Sequence, residues 1–207
     1  MQRLPLFSAL ALLALAPAAF AIPDADGNIS STPAPDISGD AAMQARLNYN
    51  IGYEGWQKAQ QLEFDGAKLQ GAKARDNAEA VKAGYRDARE HFRTAVTADP
   101  DMKEGWNMLG FTSRKLGDYE DSLKAYDKAL ALQPDYPEAI EYRAELFLLT
   151  GRLAQVKDAY ASLQKSSPSY AIALKTSMKD FIKGRQPLPD SVSAADRAAF
   201  TAWVAKL

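Results

Sequence analysis

Residues able to do chemistry are few. His91 is the only histidine, set between Glu90 and Phe92, and the chain has no cysteine. Without a second imidazole or any thiol, neither a common zinc site nor a Cys nucleophile, disulfide or lipid-bearing N-terminal Cys can be built. No elbow motif presents a serine to His91. Glu138 and Glu141 stand one helical turn apart, as a general acid and base could, but solvated acids on helices share that spacing. Asp24-Ala25-Asp26-Gly27-Asn28 starts like a calcium loop. Ile29 then stands where such a loop needs Gly, and Pro35 where it needs a bidentate Glu. No glycine-rich phosphate loop follows a strand, since no strand pattern occurs. What remains is recognition by rings and carboxylates: no enzyme, metal or cofactor is expected.

The elements that must position those groups show a period. Trp106 is followed by Leu109-Gly110, then Gly117-Asp118-Tyr119, Ser122, Tyr126, Ala129, Leu130 and Pro134. One period of about 34 residues further on, Trp106 maps to Ile140, Gly117 to Gly151, Tyr126 to Tyr160 and Pro134 to Pro168. The Leu-Gly pair becomes Arg143-Ala144 and Ala129 becomes Leu163, so the helices there should cross less closely. One period back, Pro134 maps to Pro100, Ala129 to Ala95, Tyr126 to Phe92, Ser122 to Ala88 and Tyr119 to Tyr85. Each unit reads as two antiparallel helices: a glycine where they cross, Gly-Asp at the turn, Pro at the stop. Gly110 and Ala129 mark the closest approach, where added bulk should cost stability.

This pattern resembles the tetratricopeptide repeat, with Ser113 replacing a large aromatic and Ser122 replacing Ala. Both replacements should loosen the contact. The resemblance covers about Ala41 to Lys183 and implies an all-α array of about three helical hairpins. In the first repeat Tyr49-Asn50-Ile51-Gly52 makes Gly52 the counterpart of Gly110, which leaves an insertion of about 24 residues before Tyr85. Ala59, Leu62, Gly66, Leu69 and Ala72 keep helical spacing, and Asp76 with Glu79 has capping-box form. A long protruding hairpin turning between Gly71 and Asn77 is one reading; a first helix ending near Gly66 is the other. The hairpin is either a solvated spacer or an arm that contacts a partner.

After Pro168, Ile172, Leu174, Met178, Phe181 and Ile182 mark a capping helix over the last repeat. Ser193 with Asp196 opens a final amphipathic helix bearing Phe200, Trp203, Val204 and Leu207. It either packs back on the capping helix or docks on a neighbouring chain.

At the other end, Arg3 precedes an apolar run from Leu4 to Ala16 and then Ala19-Phe20-Ala21, a signal-peptidase site. The run is shorter than the roughly 20 residues a membrane span needs. Residues 1–21 are therefore expected to be a cleaved signal peptide, 22–40 a solvated tether, 41–186 the array with its capping helix, and 187–207 a linker and last helix. Export, to the periplasm, follows, with no membrane span after cleavage. The third repeat resembles that of small exported bacterial tetratricopeptide proteins, many of which carry paired cysteines after the last repeat. Here Ser166-Ser167-Pro168-Ser169 stands there instead, so no thiol role is implied.

With 25 basic and 26 acidic residues the formal charge is −1, which offers no electrostatic footprint for nucleic acid. The family resemblance implies a protein or peptide partner on the concave groove. It places on that groove Arg46, Tyr49, Tyr53 and Trp56, then Glu104, Asn107, Phe111 and Arg114, then Glu138, Glu141, Glu145 and Leu148. The face grades from aromatic to acidic. The family's clamp of Lys, Asn and Arg for chaperone carboxyl termini is missing, since Glu138 and Tyr142 stand where basic residues are needed. A fitting peptide offers apolar side chains to Trp56 and Phe111 and a basic residue to Glu141 and Glu145. The alternatives are that the hairpin or the last helix covers Tyr49 and Trp56, and that the array is a subunit or assembly factor of a bacterial envelope complex. Oligomeric state is not readable.

Overall fold

The computed structural model describes residues 40–185, 189 and 191–207. The expected signal peptide, and the tether up to its last residue Asp40, lie outside the described residues. Among the described residues eight helices run in chain order: α1 Ala41–Gly66, α2 Gly71–Ala98, α3 Lys103–Leu116, α4 Tyr119–Leu132, α5 Pro137–Leu149, α6 Leu153–Ser166, α7 Pro168–Ile182 and α8 Ala194–Val204. Successive helices pair as three antiparallel hairpins, α1–α2, α3–α4 and α5–α6, with α7 across the last hairpin and α8 behind it.

Local chemistry sets the ends. The Asp40 side chain accepts hydrogen bonds from the Ala42 and Met43 amides at 3.0 and 3.3 Å, capping α1. Gly117 (φ 88°) and Gly151 (φ 74°) close α3 and α5 in the left-handed conformation. The amides of Asp118 and Arg152 then reach back to the Ser113 and Phe147 carbonyls at 3.0 and 2.8 Å. Gly184 (φ 68°) ends α7 in the same manner, with the Arg185 amide on the Asp180 carbonyl at 3.0 Å. The capping helix thus terminates as a first helix of a repeat does. Pro137 and Pro168 sit in the first turns of α5 and α7, where a missing N–H costs nothing.

Helix crossings bear out the register. A Cβ on Gly110 would lie 2.7 Å from the Tyr126 ring, and one on Gly52 would lie 3.0 Å from the Phe92 ring. Tyr126 and Phe92 are one period apart, so the first repeat keeps its crossing despite the insertion. The closest approach at Gly110 is to Tyr126 rather than to Ala129. Ser122 tightens that crossing instead of loosening it, because its buried hydroxyl donates to the Gly110 carbonyl at 2.7 Å.

The hairpin departs from the longer of the two readings. α1 ends at Gly66, the turn is at 67–70, and Asp76 and Glu79 lie inside α2 instead of starting it. Gly66 is where the chain must turn under α2: a Cβ there would strike the Asn77 side chain, whose amide donates to the Leu62 carbonyl at 3.0 Å. Leu62 and Leu69 are exposed, so the apolar stripe fails beyond Ala59. The inserted turns are nonetheless tied down, since Glu63 accepts from Tyr85 Oη and from Lys115 Nζ, both at 2.7 Å.

Two apolar clusters fill the array. One joins α1 to α5 around Tyr85, Phe92, Phe111 and Tyr126; the other joins α4 to α8 around Leu148, Leu163, Leu174 and Phe181. α8 packs back, with Phe200 against Phe181 at 5.9 Å and Trp203 against Tyr160 at 5.8 Å. Ser193 caps it by accepting from the Asp196 amide at 3.1 Å. No helix among the described residues is long and apolar enough to cross a membrane.

Candidate functional site

The first helices of the three repeats bring one face each to a common surface. On α1, Tyr49 and Tyr53 stack at 6.0 Å, and Tyr53 meets Trp56 at 4.8 Å. Trp56 meets Phe111 of α3 edge-on at 5.8 Å, and Phe111 meets Tyr142 of α5 at 5.0 Å. Tyr49 also rests on Phe92 of α2 at 5.7 Å. A continuous line of rings therefore crosses from α1 to α5, as the period required.

Burial divides the twelve residues expected on the groove. Trp56, Asn107, Phe111, Glu141 and Leu148 are buried, with exposures of 4, 0, 5, 2 and 0%. Tyr49, Tyr53, Glu104, Arg114, Glu138 and Glu145 are half-buried, and Arg46 is exposed. Trp56 and Phe111 are occupied by their ring neighbours, so the apolar surface offered to a partner falls to Tyr49 and Tyr53. Trp56 is covered within the ring line and α8 lies on the far side against α6 and α7, so the last helix does not close the groove. Leu148 belongs to the second apolar cluster and faces the core.

Charges follow an order that composition could not give. Arg114 Nη2 pairs with Glu145 Oε2 at 2.7 Å, and its guanidinium lies over the Phe111 and Tyr142 rings at 5.0 and 5.9 Å. Burial opposes the charge on Arg114, but Glu145, Tyr126 and Glu141 outweigh it and hold the proton more firmly than usual. Ser177 of α7 donates to Glu145 at 2.5 Å. Glu145 is thus satisfied within the protein, contrary to the expectation that it takes a partner's basic residue. Glu104 pairs with Lys103 at 2.6 Å. Glu138 accepts from Tyr136 Oη at 2.9 Å and from Tyr142. Burial nevertheless pushes its carboxyl up, those two bonds opposing and Glu104 adding. Glu141 is pushed well above the usual carboxylate range by burial first, then by Glu145, against Arg114, with Glu138 adding. The two acids that pattern alone reads as solvated are therefore groups of the groove wall. Asn107 is fully buried between Glu104 and Phe111 on the same face, and neither its Oδ1 nor its Nδ2 has a hydrogen-bond partner.

Sequence reasoning missed three contributors, Tyr136, Tyr170 and Ser177, and read Tyr142 only as a clamp position without a basic residue. Tyr136 precedes α5 and so falls outside any helix register, although its place before Pro137 is the signal that orients it. Tyr170 and Ser177 come from the capping helix, to which no groove positions were assigned. Tyr170 is near enough to Glu138 and Glu141 for both to push its hydroxyl up, after burial. His91 remains outside the groove chemistry, its Nδ1 3.2 Å from Asn48 Oδ1. Among the described residues, no three His, Asp or Glu side chains are placed to hold a metal ion.

The family model described as "Tetratricopeptide repeat" matches residues 103–136, which are α3, α4 and their turns. The chain is also similar to Protein O-mannosyl-transferase TMTC1 of Mus musculus, 35% identical over 71 residues. That match covers 34% of this chain but only 8% of the relative, whose transferase activity is a property of a much longer protein. Arrays of tetratricopeptide repeats are protein–protein interaction scaffolds. The chain therefore carries a tetratricopeptide repeat at 103–136, set between two further helical hairpins in an all-α array.

Proposed function

We propose that the chain is an exported scaffold that binds a protein or peptide partner on the concave face formed by α1, α3, α5 and α7. The observation that carries this is the division of that face. Its rings are interlocked and its floor is fixed, yet Tyr49, Tyr53, Tyr136, Glu138 and Tyr170 stay half-open to solvent along one line from α1 to α7. A face that is rigid, aromatic and unevenly charged is suited to an extended segment, whose ordering cost a preformed groove keeps low. Export to the periplasm is supported by Arg3, the apolar run to Ala16 and Ala19-Phe20-Ala21. Binding, not catalysis, is the role.

The test uses the chain starting at Ile22 as bait in a periplasmic extract, with Tyr53→Ala and Glu141→Lys as comparators. Both half-open Tyr53 and the acidic wall should matter, so each variant should fold and lose the partner. Retained capture by two folded variants would move the binding surface elsewhere.

A second reading, a subunit of an envelope assembly, is favoured by one specific feature. Leu47 and Ile51, one turn apart on α1 and 45 and 41% exposed, give that helix an apolar edge away from the groove. Co-purification in fixed stoichiometry that survives Tyr53→Ala but not Ile51→Lys would select it.

A further inference from the structure

We propose that the groove contains a dedicated pocket for one lysine or arginine side chain of an extended peptide, walled by Glu138 and Glu141, floored by Asn107 and flanked by the rings of Tyr49, Tyr136 and Tyr142. This rests on the groove reading above and names the chemistry of its partner.

The groove already shows how it takes a cation. Arg114 lies over two rings with a carboxylate at its tip, an arrangement that combines cation–π attraction with a charge-assisted hydrogen bond. One turn towards the start of α5 the same ingredients recur, carboxylates among tyrosines, but with no cation in salt-bridge contact among the described residues. Glu145 has Arg114 and Glu104 has Lys103, whereas among the described residues Glu138 and Glu141 have no salt bridge. Glu138 is central to this second set: its charge acts on Tyr49, Tyr53, Tyr136, Tyr142 and Tyr170. The attraction of a visiting cation would offset the burial and repulsion that now push both carboxyls up.

Asn107 supplies an independent sign. A buried amide with neither its donor nor its acceptor paired is rare and costly in a finished core. Its helical neighbours one turn either way, Glu104 and Phe111, belong to the groove face, so its unspent hydrogen-bonding capacity lies under the acidic wall. A metal ion is a poorer occupant, because the acids are not arranged to chelate one. The chain's own residues 22–40 are also poor occupants, since they contain four aspartates and no Lys or Arg. The complementary ligand is a basic side chain on a separate segment.

The experiment screens the protein starting at Ile22 against an immobilised array of extended nonapeptides, then measures affinities of selected peptides in solution. Binders should share a Lys or Arg at one position. Replacing it with norleucine, or testing the original against Glu141→Gln or Glu138→Gln, should weaken binding at least tenfold while neither variant melts below the unmodified protein. Binders without a shared basic residue, or norleucine and both Gln variants all within twofold of the original, would overturn the pocket. If Tyr53→Ala abolishes that binding in the same series, the groove reading stands and the cation pocket alone falls. If no peptide binds, or binding ignores Tyr53 and both glutamates, the two fall together.

Discussion

The two ends of the concave face use their side chains in opposite ways. On the α1 side, Trp56 and Phe111 are spent on each other and on Tyr53 and Tyr142, leaving exposures of 4 and 5%. On the α5 side, Glu138 and Glu141 are drawn out of water without a salt bridge among the described residues, beside an amide that bonds to nothing. Apolar burial lowers the free energy of the fold, whereas an uncompensated buried carboxylate raises it. The aromatic end is therefore part of the core that happens to face the groove, and the acidic end is a surface kept at the expense of stability. Arg114 joins them, its guanidinium lying over a ring from each side and its tip bound to Glu145.

The sharpest way to break this comparison is to remove the aromatic end. Trp56→Ala should cost about 3–5 kcal/mol as a large buried ring is lost, visible as a fall of roughly 10 °C in melting temperature. A groove-only role for Trp56 would leave the melt unchanged. Arg114→Leu comes next: it strands the Glu145 carboxylate and removes the one cation acting on Glu141, which for a broken buried pair costs about 3 kcal/mol. Circular-dichroism melts at neutral pH check it, and part of the loss should return as pH falls and Glu141 takes up a proton. Gly110→Leu tests the scaffold beneath both ends. With a Cβ already 2.7 Å from the Tyr126 ring, overpacking should cost about 1–3 kcal/mol. Exposed Lys124→Leu on the next helix should leave the melt where it was, and equal melts for the two variants would refute the helix crossing.

How much of this the sequence revealed depends on which residue is asked. Gly117 and Gly151 mark turns only a left-handed residue closes, and a period between them is visible without coordinates. The ring line was legible for the same reason, since position along a helix fixes its face. The start of α2 was not: Gln70 makes no side-chain cap, while Asp76 and Glu79 imitate one within the helix. What turns the chain there is the fit of Gly66 under Asn77, a contact between residues distant in sequence. The state of the acids was hidden too. Glu138 and Glu141 have the spacing of any solvated pair, and only the packing of α3, α5 and α7 around them removes the water. Ser122 misled by size alone, because its hydroxyl, not its volume, makes the contact with Gly110.

The most direct test of the difference between the two ends is thermal unfolding of the unmodified protein and Glu141→Gln from pH 4 to pH 8. The groups that interact with Glu141 are Arg114 from α3, Tyr126 from α4, Glu138, Tyr142 and Glu145 from α5, and Tyr170 from α7. Its carboxyl takes up a proton more readily in the folded chain than in the unfolded one, because burial and then Glu145 disfavour the charge. Its contribution is thus most favourable at low pH, where both states are protonated, and is lost as pH rises through the folded value. The account predicts that Glu141→Gln melts a few degrees above the unmodified protein at neutral pH, and that the gap closes as pH falls. A variant that melts lower at pH 7, or a gap that does not change with pH, would show that the Glu141 carboxylate stabilises the fold and is not held in reserve for a partner.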